Sequence, residues 1–363
     1  MQVIVFTGGG TGGHVYPGLA VLAQLKQLTT ARLLWIGSRD GLEKALVEQS
    51  GVEFYGIPSG KLRRYLSFRN LTDLFKILQG YFAARKLLKR FKPTVVFSKG
   101  GFVSVPPVWA ARSLKIPVVS HESDFDPGLA TKLNLKSSRW VCVPYPESVQ
   151  YFPANVQERL LVTGNPVRSE FLQVNPQSLR QAWSLPQGIP VVVVLGGSLG
   201  AVQINELIKG RLDQWAGKVF VIHQTGRDWT APADTAWYRS RPFFTTEMPN
   251  LYACADVVIG RAGAGTLWEA CTVQVPLLLI PLEVGSRGDQ VRNAQYFSDR
   301  GAAAQWTPRE GEAQFDQKLQ DLLDHPEKRT QMKNAQKAFS GVQATTVIAQ
   351  RILSCMETES LVR

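Results

Sequence analysis

The sequence predicts an α/β protein made of two Rossmann-like, doubly wound parallel-sheet domains that face each other across a cleft. Short apolar runs, typical of parallel strands buried on both faces, alternate with helical stretches along the first half of the chain. A strand, a glycine-rich turn and a helix follow one another at the N-terminus, and the same succession returns after Pro190. A length of 363 residues exceeds what one core usually supports, which favours two domains.

The segment Val3–Gly18 opens the first domain and carries its clearest ligand-binding signal. An apolar run leads into the glycine-rich turn 8–13, and we expect a helix to begin near Pro17. Such a loop brings backbone N–H groups close to a ligand, and the helix N-terminus behind it favours negative charge. His14 adds a titratable group where a phosphate loop needs none. The alternative is a tight strand-to-helix turn that binds nothing.

Further apolar runs predict the other strands. In the first domain they are Val3–Phe6, Arg32–Ile36, Thr94–Phe97, Pro117–Ser120 and Trp140–Val143. In the second they are Val191–Leu195, Val219–Ile222, Asp256–Ile259 and Leu277–Ile280. We place the domains at residues 1–163 and 164–340, because a polar stretch rich in Gln, Pro and Ser follows this boundary.

The helical region Leu71–Phe91 carries two apolar stripes, more than a sheet-packing helix needs. The first is Leu71, Leu74, Phe75, Leu78 and Phe82, and the second is Ile77, Tyr81, Ala84 and Leu88. We expect one stripe to face the sheet and the other to lie on an anionic membrane surface. The residues expected at the membrane are Ile77, Tyr81 and Leu88, with Lys86, Lys89 and Arg90 at the headgroups. The alternative is that both stripes are buried and Gly80 separates two packed helices.

The net charge of +12 favours an anionic partner: a nucleotide, a nucleic acid or an anionic lipid surface. Basic residues concentrate between Gly60 and Lys92, where Asp73 is the one acidic residue. A nucleic-acid-binding protein would interleave exposed aromatic side chains with these charges. Here the aromatic residues have helical-core spacing, so we expect no nucleic acid.

The cysteines and the apolar runs indicate a compartment. Cys142, Cys254, Cys271 and Cys355 lie far apart, without metal-ligand spacing, as in buried cysteines of a reducing compartment. We find no signal peptide and no apolar run long enough to span a membrane. The sequence therefore predicts a cytoplasmic protein without a metal or a cofactor.

A third glycine-rich segment, Ile259–Glu269, follows a predicted strand. Its glycines and Thr266 can present N–H and hydroxyl donors to a diphosphate. Glu269 lies about one helical turn further on, where a carboxylate can accept both hydroxyls of a ribose, as in dinucleotide-binding folds. The alternative for Glu269 is a solvated or ion-paired helix residue.

Seven motifs in order resemble the MurG family of peptidoglycan N-acetylglucosaminyltransferases. They are Gly8–Gly18, Ser98–Ser104, His121-Glu122, Gly164–Arg168, Gly196–Gly200, Gly263–Glu269 and Asp289–Ala294. The resemblance spans essentially the whole chain and implies a GT-B fold whose C-terminal helix, about 341–363, packs back on the first domain. It implies transfer of N-acetylglucosamine from UDP-N-acetylglucosamine to the 4-hydroxyl of lipid I, with inversion, giving lipid II. It also implies a peripheral enzyme on the cytoplasmic face of the inner membrane.

The resemblance also assigns site residues by position. Thr11, Gly12, Gly13 and His14 would face the reacting centre. The acceptor hydroxyl needs a general base, for which His14 is the first choice and Glu122 the alternative, or the group that orients the acceptor. The residues of the donor site would be Asp124, Arg168, Ser198, Phe244, Thr245, Met248, Gly263, Ala264, Gly265, Thr266, Leu267, Trp268, Glu269, Asp289, Gln290 and Asn293.

Two positions depart from the family. Ser123-Asp124 replaces a frequent Gln-Asn, so an acceptor-only carboxylate replaces an amide that can also donate, and Trp268 is bulkier than usual.

Two other enzymes remain as alternatives. A GT-B glycosyltransferase acting on another lipid acceptor, such as diacylglycerol, would share the nucleotide-binding half. A nicotinamide-dependent dehydrogenase would account for Gly8, Gly10 and Gly13. It would not require the later glycine-rich loops, and Asp40 lies late for its ribose-binding acid.

Overall fold

The structure is a computed structural model that describes residues 2–60, 68–197, 200–284, 288–339 and 341–360. The chain divides into two compact units. One is Met1–Arg168 together with Val342–Arg363, and the other is Ser169–Gly341. The boundary expected from the sequence, after residue 163, lies a few residues before this division.

The described part of the first unit contains a seven-stranded parallel sheet in the order β3-β2-β1-β4-β5-β6-β7. Its strands are β1 Val3–Thr7, β2 Arg32–Ser38, β3 Glu53–Ile57, β4 Val95–Ser98, β5 Val118–His121, β6 Trp140–Val143 and β7 Leu160–Val162. Its helices are α1 Gly12–Leu28, α2 Glu43–Gln49, α3 Phe68–Phe91, α4 Val105–Ser113, α5 Leu129–Asn134 and α6 Ala154–Gln157.

The described part of the second unit contains a six-stranded parallel sheet in the order β10-β9-β8-β11-β12-β13. Its strands are β8 Val191–Leu195, β9 Phe220–Gln224, β10 Tyr238–Arg241, β11 Val257–Gly260, β12 Leu277–Leu279 and β13 Ala304–Gln305. Its helices are α7 Pro176–Ala182, α8 Val202–Lys209, α9 Leu212–Trp215, α10 Met248–Cys254, α11 Ala264–Val273, α12 Asp289–Asp299, α13 Glu312–Asp324 and α14 Pro326–Gln336. The last helix, α15 Gly341–Ser360, returns to the first unit.

Helices cover both faces of the first sheet. On one face Leu22 of α1 and Ile348 of α15 share a core with Phe6 of β1. On the other face Leu88 of α3 and Val108 of α4 share a second core with strand residues. Because both faces are covered, the central strands are apolar without alternation, which is why the sequence reveals them.

The predicted fold class of two doubly wound parallel sheets is confirmed. Each apolar run predicted to be a strand forms one, with small shifts at the ends. The strands that the sequence analysis did not predict are β3, β7, β10 and β13, which form the edges of the two sheets.

The predicted start of α1 near Pro17 is wrong. The helix begins at Gly12, after an extended Thr11, and Pro17 lies inside it. A proline inside a helix removes one backbone N–H. Here the longer helix moves His14 from the loop into the first helical turn.

The two apolar stripes of α3 have the reverse of the expected roles. Ile77 and Leu88 are buried in the core, whereas Phe75 and Phe82 are each 61% exposed. The side chain of Leu71 lies outside the described part. The assignment of Ile77, Tyr81 and Leu88 to a membrane surface is therefore wrong.

The alternative that Gly80 separates two buried helices is also wrong, because α3 is continuous through it. A Cβ on Gly80 would lie 2.3 Å from the carbonyl oxygen of Pro58. Glycine thus lets this side of α3 pack closely against the segment at Pro58. This close approach determines which of the two stripes is buried.

The four cysteines are unpaired and buried, as the sequence analysis expects. Burial raises the pKa of the Cys142 thiol to about 12, so this side chain behaves as a small apolar group. Over the described residues, no helix is long and apolar enough to cross a bilayer.

Candidate active site

The strand order of the first unit locates a ligand-binding crevice. The order reverses at β1, which has β2 on one side and β4 on the other. In open α/β sheets, ligands bind outside the carboxyl ends of the strands at such a point. Three loops leave strands here: 8–11 after β1, 99–101 after β4 and 122–128 after β5.

The glycine-rich loop after β1 is held from behind by Glu43, the first residue of α2. This fully buried carboxylate accepts hydrogen bonds from Gly10 N (3.2 Å) and Ser38 N (2.8 Å). Trp35 Nε1 donates to Gly8 O at 3.1 Å. The Gly10 N–H is therefore bound within the protein and is not offered to a ligand.

His14 lies in the first turn of α1, partly exposed. Its Nδ1 is 2.8 Å from Thr11 Oγ1, and its ring lies against the backbone of Gly100 and Gly101 in the loop after β4. In the tautomer in which Nδ1–H donates to Thr11, Nε2 carries the lone pair that a general base needs. Gly12 and Gly13 form the helix start beside it.

Glu122 organises the loop after β5. One oxygen accepts hydrogen bonds from Ser123 N (2.8 Å) and Asp124 N (3.3 Å). The other accepts from Gly128 N (3.0 Å) and Thr131 Oγ1 (2.6 Å). A carboxylate offers about four acceptor directions, and the loop uses them. This geometry favours His14 over Glu122 as the base.

His121 and Arg168 connect this site to the end of the first unit. His121 Nε2 lies 3.0 Å from Gly164 O and must donate to it. Burial and the charge of Lys99 hold the pKa of His121 well below its usual value, so the ring is neutral. Arg168 stacks on the ring of Tyr16 in α1. The described contacts thus place the predicted diphosphate ligand Arg168 beside α1.

In the second unit the strand order reverses at β8, which lies between β9 and β11. The segment after β11 leads into α11, whose N-cap is Gly263. A Cβ added to Gly263 or Gly265 would meet no other atom within 4 Å, so open space lies in front of the helix start. Backbone N–H groups at such a terminus form an anion-binding site. Thr266 and the partly exposed Glu269 follow on the same helix.

The helix also carries two predicted residues that face inward. Leu267 and Trp268 are buried, and Trp268 packs edge-on against Phe339. Their side chains belong to the core of the second unit, and only their backbone groups are placed to bind a ligand. The bulk of Trp268 therefore does not narrow the site.

The residues expected to hold the uracil lie near β9. Phe244 is buried against Trp183, while Thr245 is exposed and Met248 begins α10. Gln224, at the end of β9, accepts from Phe244 N and donates to Gly197 O, both at 3.0 Å. Gln224 therefore ties the segment at Phe244 to the glycine loop after β8.

The residues expected to bind the sugar start α12. Gln290 Oε1 accepts from Leu282 N at 3.0 Å, and Asn293 Nδ2 donates to Ala262 O at 3.0 Å. Asp289 is buried and accepts from Arg292. The buried Asn293 Oδ1 has no protein partner among the described residues, which leaves an acceptor for a ligand hydroxyl. Ser198 lies outside the described residues.

Models of two family domains match the chain. The N-terminal domain of glycosyltransferase family 28 matches residues 4–141, and the C-terminal domain of that family matches residues 191–351. The chain belongs to glycosyltransferase family 28.

Relatives of this family 28 protein carry one shared name, UDP-N-acetylglucosamine--N-acetylmuramyl-(pentapeptide) pyrophosphoryl-undecaprenol N-acetylglucosamine transferase. The protein of Treponema denticola is 43% identical over 84% of this chain and 83% of its own. That of Borrelia turicatae is 37% identical over 96% of both chains. The crystal structure of Acinetobacter baumannii MurG is 27% identical with a TM-score of 0.74, covering 98% of this chain and all of that one. The resemblance to the MurG family is thus confirmed.

The fold is also shared with solved structures of much lower sequence identity. UDP-GlcNAc 2-epimerase from Neisseria meningitidis, solved bound to UDP-GlcNAc, superposes with a TM-score of 0.70 at 14% identity. The superposition covers 98% of this chain and 100% of the epimerase chain.

Three residues that position this site have no role in the sequence analysis: Glu43, Lys99 and Gln224. Lys99 lies in the Ser98–Ser104 motif. A lysine in a glycine-containing segment directly after a strand could have been identified from the sequence as a candidate site residue. The sequence carries no signal for Glu43 or Gln224. An acidic residue in a helix and an amide at the end of a strand are usually solvated.

Proposed function

We propose that this hexosyltransferase transfers N-acetylglucosamine from UDP-N-acetylglucosamine to the 4-hydroxyl of the MurNAc-pentapeptide of undecaprenyl-pyrophosphate lipid I, forming lipid II. The observation that carries the proposal is the open start of α11 at the point where the second sheet reverses its order. Relatives such as the Treponema denticola protein, 43% identical over the aligned residues, are named for that transfer.

The donor binds the second unit in this proposal. The N–H groups of Ala264, Gly265 and Thr266 hold its diphosphate, and Glu269 accepts the ribose hydroxyls. Gln290 and Asn293 read the sugar hydroxyls. Their hydrogen bonds to backbone fix each amide, so each presents its remaining polar atoms in one orientation.

The acceptor binds the first unit, with His14 as general base. The acceptor hydroxyl must lose its proton as its oxygen attacks the anomeric carbon and UDP leaves from the opposite face, which inverts that centre. Thr11 orients the imidazole, and the packing of its ring on Gly100 and Gly101 restricts its motion. Glu122 holds the loop that borders the same crevice.

The exposed stripe of α3 is the surface that we propose for membrane contact. Leu74, Phe75, Leu78 and Phe82 are each more than half exposed along one side of the helix. Lys86, Lys89 and Arg90 follow toward its end. An amphipathic helix with exposed aromatic and basic residues suits an anionic lipid interface, where the lipid-linked acceptor resides.

The test is transfer of radiolabelled N-acetylglucosamine from UDP-N-acetylglucosamine to synthetic lipid I. Diacylglycerol in mixed micelles serves as the competing acceptor, and a thermal-shift comparison of UDP-N-acetylglucosamine with NAD tests the dehydrogenase alternative. We expect label in lipid II and stabilisation by the UDP-sugar alone. Label in the glycolipid without label in lipid II would contradict the proposal.

A further inference from the structure

Lys99 is a buried cation at the centre of the first unit's crevice. It is the first residue after β4, and its backbone N–H donates to Thr7 O of β1 at 2.8 Å. Its side chain is 1% exposed, among the largest fully buried ones of the described residues. A buried ammonium costs free energy unless it is well paired. A lysine at this buried position therefore indicates a role other than packing.

The hydrogen bonding of Lys99 is incomplete. Its Nζ donates to Ser123 Oγ at 2.7 Å, which is its one hydrogen-bond partner within the described residues. An ammonium has three donors. The Glu122 carboxylate, which would otherwise pair with it, is engaged by its own loop.

The direction of this bond fixes what Ser123 can do. Because the Ser123 oxygen accepts from an ammonium, its own proton is directed elsewhere. A hydroxyl that accepts a hydrogen bond from a charged group becomes a stronger hydrogen-bond donor. Asp124, next in the chain and half-buried, can only accept when ionised. Two successive residues of the loop thus carry a donor and an acceptor.

We propose that Lys99 is a positioning residue that, through Ser123, presents a charge-assisted hydroxyl donor to an oxygen of the acceptor substrate. The inference rests on the proposed function, because it assumes an acceptor in the first unit. It assigns recognition of the acceptor to Lys99 and Ser123, which act together as one relay.

The charges around Lys99 give the relay a pH limit. Glu122 and Asp124 from the loop after β5 favour the ammonium, His121 at the end of β5 is neutral, and His14 of α1 packs on the neighbouring glycines. Burial outweighs the carboxylates and lowers the pKa of Lys99 to about 8. The ammonium is therefore present below pH 8 and lost as the pH rises through that value.

Stability should change in the opposite direction. The folded state binds this proton less tightly than the unfolded chain, so the Lys99 contribution to the free energy of unfolding rises as the pH increases from about 8 toward the ordinary lysine range. Replacing Lys99 by Met should thus leave the melting temperature unchanged or higher. If Lys99 had a purely structural role, its replacement would not lower activity while leaving stability unchanged.

The experiment measures transfer to synthetic lipid I by the full-length wild type, Lys99→Met, Ser123→Ala and the double variant, between pH 6.5 and 9.5. We expect each single variant to raise the acceptor KM by about tenfold at pH 7.5, with the donor KM unchanged. The double variant should match the singles, because both remove one relay. Wild-type kcat/KM for the acceptor should fall through pH 8, and that of Lys99→Met should not. Lys115→Met, at an exposed lysine of the same unit, is the control.

Additive single effects, a normal acceptor KM in either variant, or a wild-type profile flat through pH 8 would each overturn the inference. If Lys99→Met does not fold, the inference is overturned as an account of function, since the lysine is then structural. Absence of transfer to lipid I by the wild type would instead contradict the proposed function.

Discussion

At the scale of single residues, the chemistry that we propose for the first unit depends on His14. If it is the base, His14→Ala should lower kcat by a factor of about 10²–10⁴, the usual effect of losing a general base. Donor binding measured by calorimetry should stay within about twofold, because the contacts proposed for the ribose and the sugar lie in the second unit. A near-normal kcat at saturating substrates would transfer the role to another group. A raised donor KM alone would mean that His14 binds the diphosphate.

Glu269 offers the corresponding test in the second unit. Loss of a charge-assisted hydrogen bond typically costs about 1.5–3 kcal/mol, so Glu269→Ala should weaken UDP-N-acetylglucosamine roughly ten- to a hundredfold. The acceptor KM should change little. A donor KM equal to that of the wild type would exclude Glu269 from the ribose site.

Glu43 illustrates a residue that acts on the loop rather than on a substrate. Glu43→Ala leaves the N–H groups of Gly10 and Ser38 without their acceptor, at a cost of about 1–3 kcal/mol in the free energy of unfolding. Urea denaturation measures this loss. Glu48→Ala, at an exposed position of the same helix, is the matched control and should stay within about 0.5 kcal/mol of the wild type. Equal stability of the two variants would show that the loop keeps its form without the carboxylate.

At the scale of elements, α3 separates two roles on one helix. Phe75→Ser combined with Phe82→Ser should abolish sedimentation with anionic vesicles and leave the melting temperature nearly unchanged, because both side chains are exposed. Leu88→Ala should do the opposite, costing about 2–5 kcal/mol of stability, since Leu88 is fully buried. High salt should weaken wild-type binding through the basic residues. Normal vesicle binding by the double serine variant would place the lipid contact elsewhere.

At the scale of the whole molecule, α15 makes the fold of the first unit depend on the end of the chain. Ile352 is fully buried in the core that contains β1, so Ile352→Ala should lower the stability of that unit by about 2–5 kcal/mol. The affinity for UDP, whose proposed site lies in the second unit, should be unchanged. Calorimetry with and without UDP measures both. Val347→Ala, at a largely exposed position of α15, is the control. A loss of UDP binding in Ile352→Ala would show that the units do not fold independently.

The sequence by itself determined the central strands and the glycine-rich segments. Strands buried on both faces must be apolar throughout, as Val191–Leu195 is, and a chain that turns tightly toward a ligand needs glycine. Both constraints are local, so they can be read from the order of residues. The edge strands were not predicted, because they are short and half solvated. Tyr238–Arg241, for example, carries two arginines and a serine.

Only the tertiary structure decided the rest, since it depends on which surfaces meet. The spacing of α3 showed two apolar stripes, but the approach of Pro58 to Gly80 selected the buried one. The sequence left Glu122 as the alternative to His14 for the base, yet the hydrogen bonds of its own loop occupy the carboxylate. Lys99 meets Ser123 across 24 residues of sequence because parallel strands bring their carboxyl ends together. Such contacts join residues far apart in the chain, and no local pattern records them.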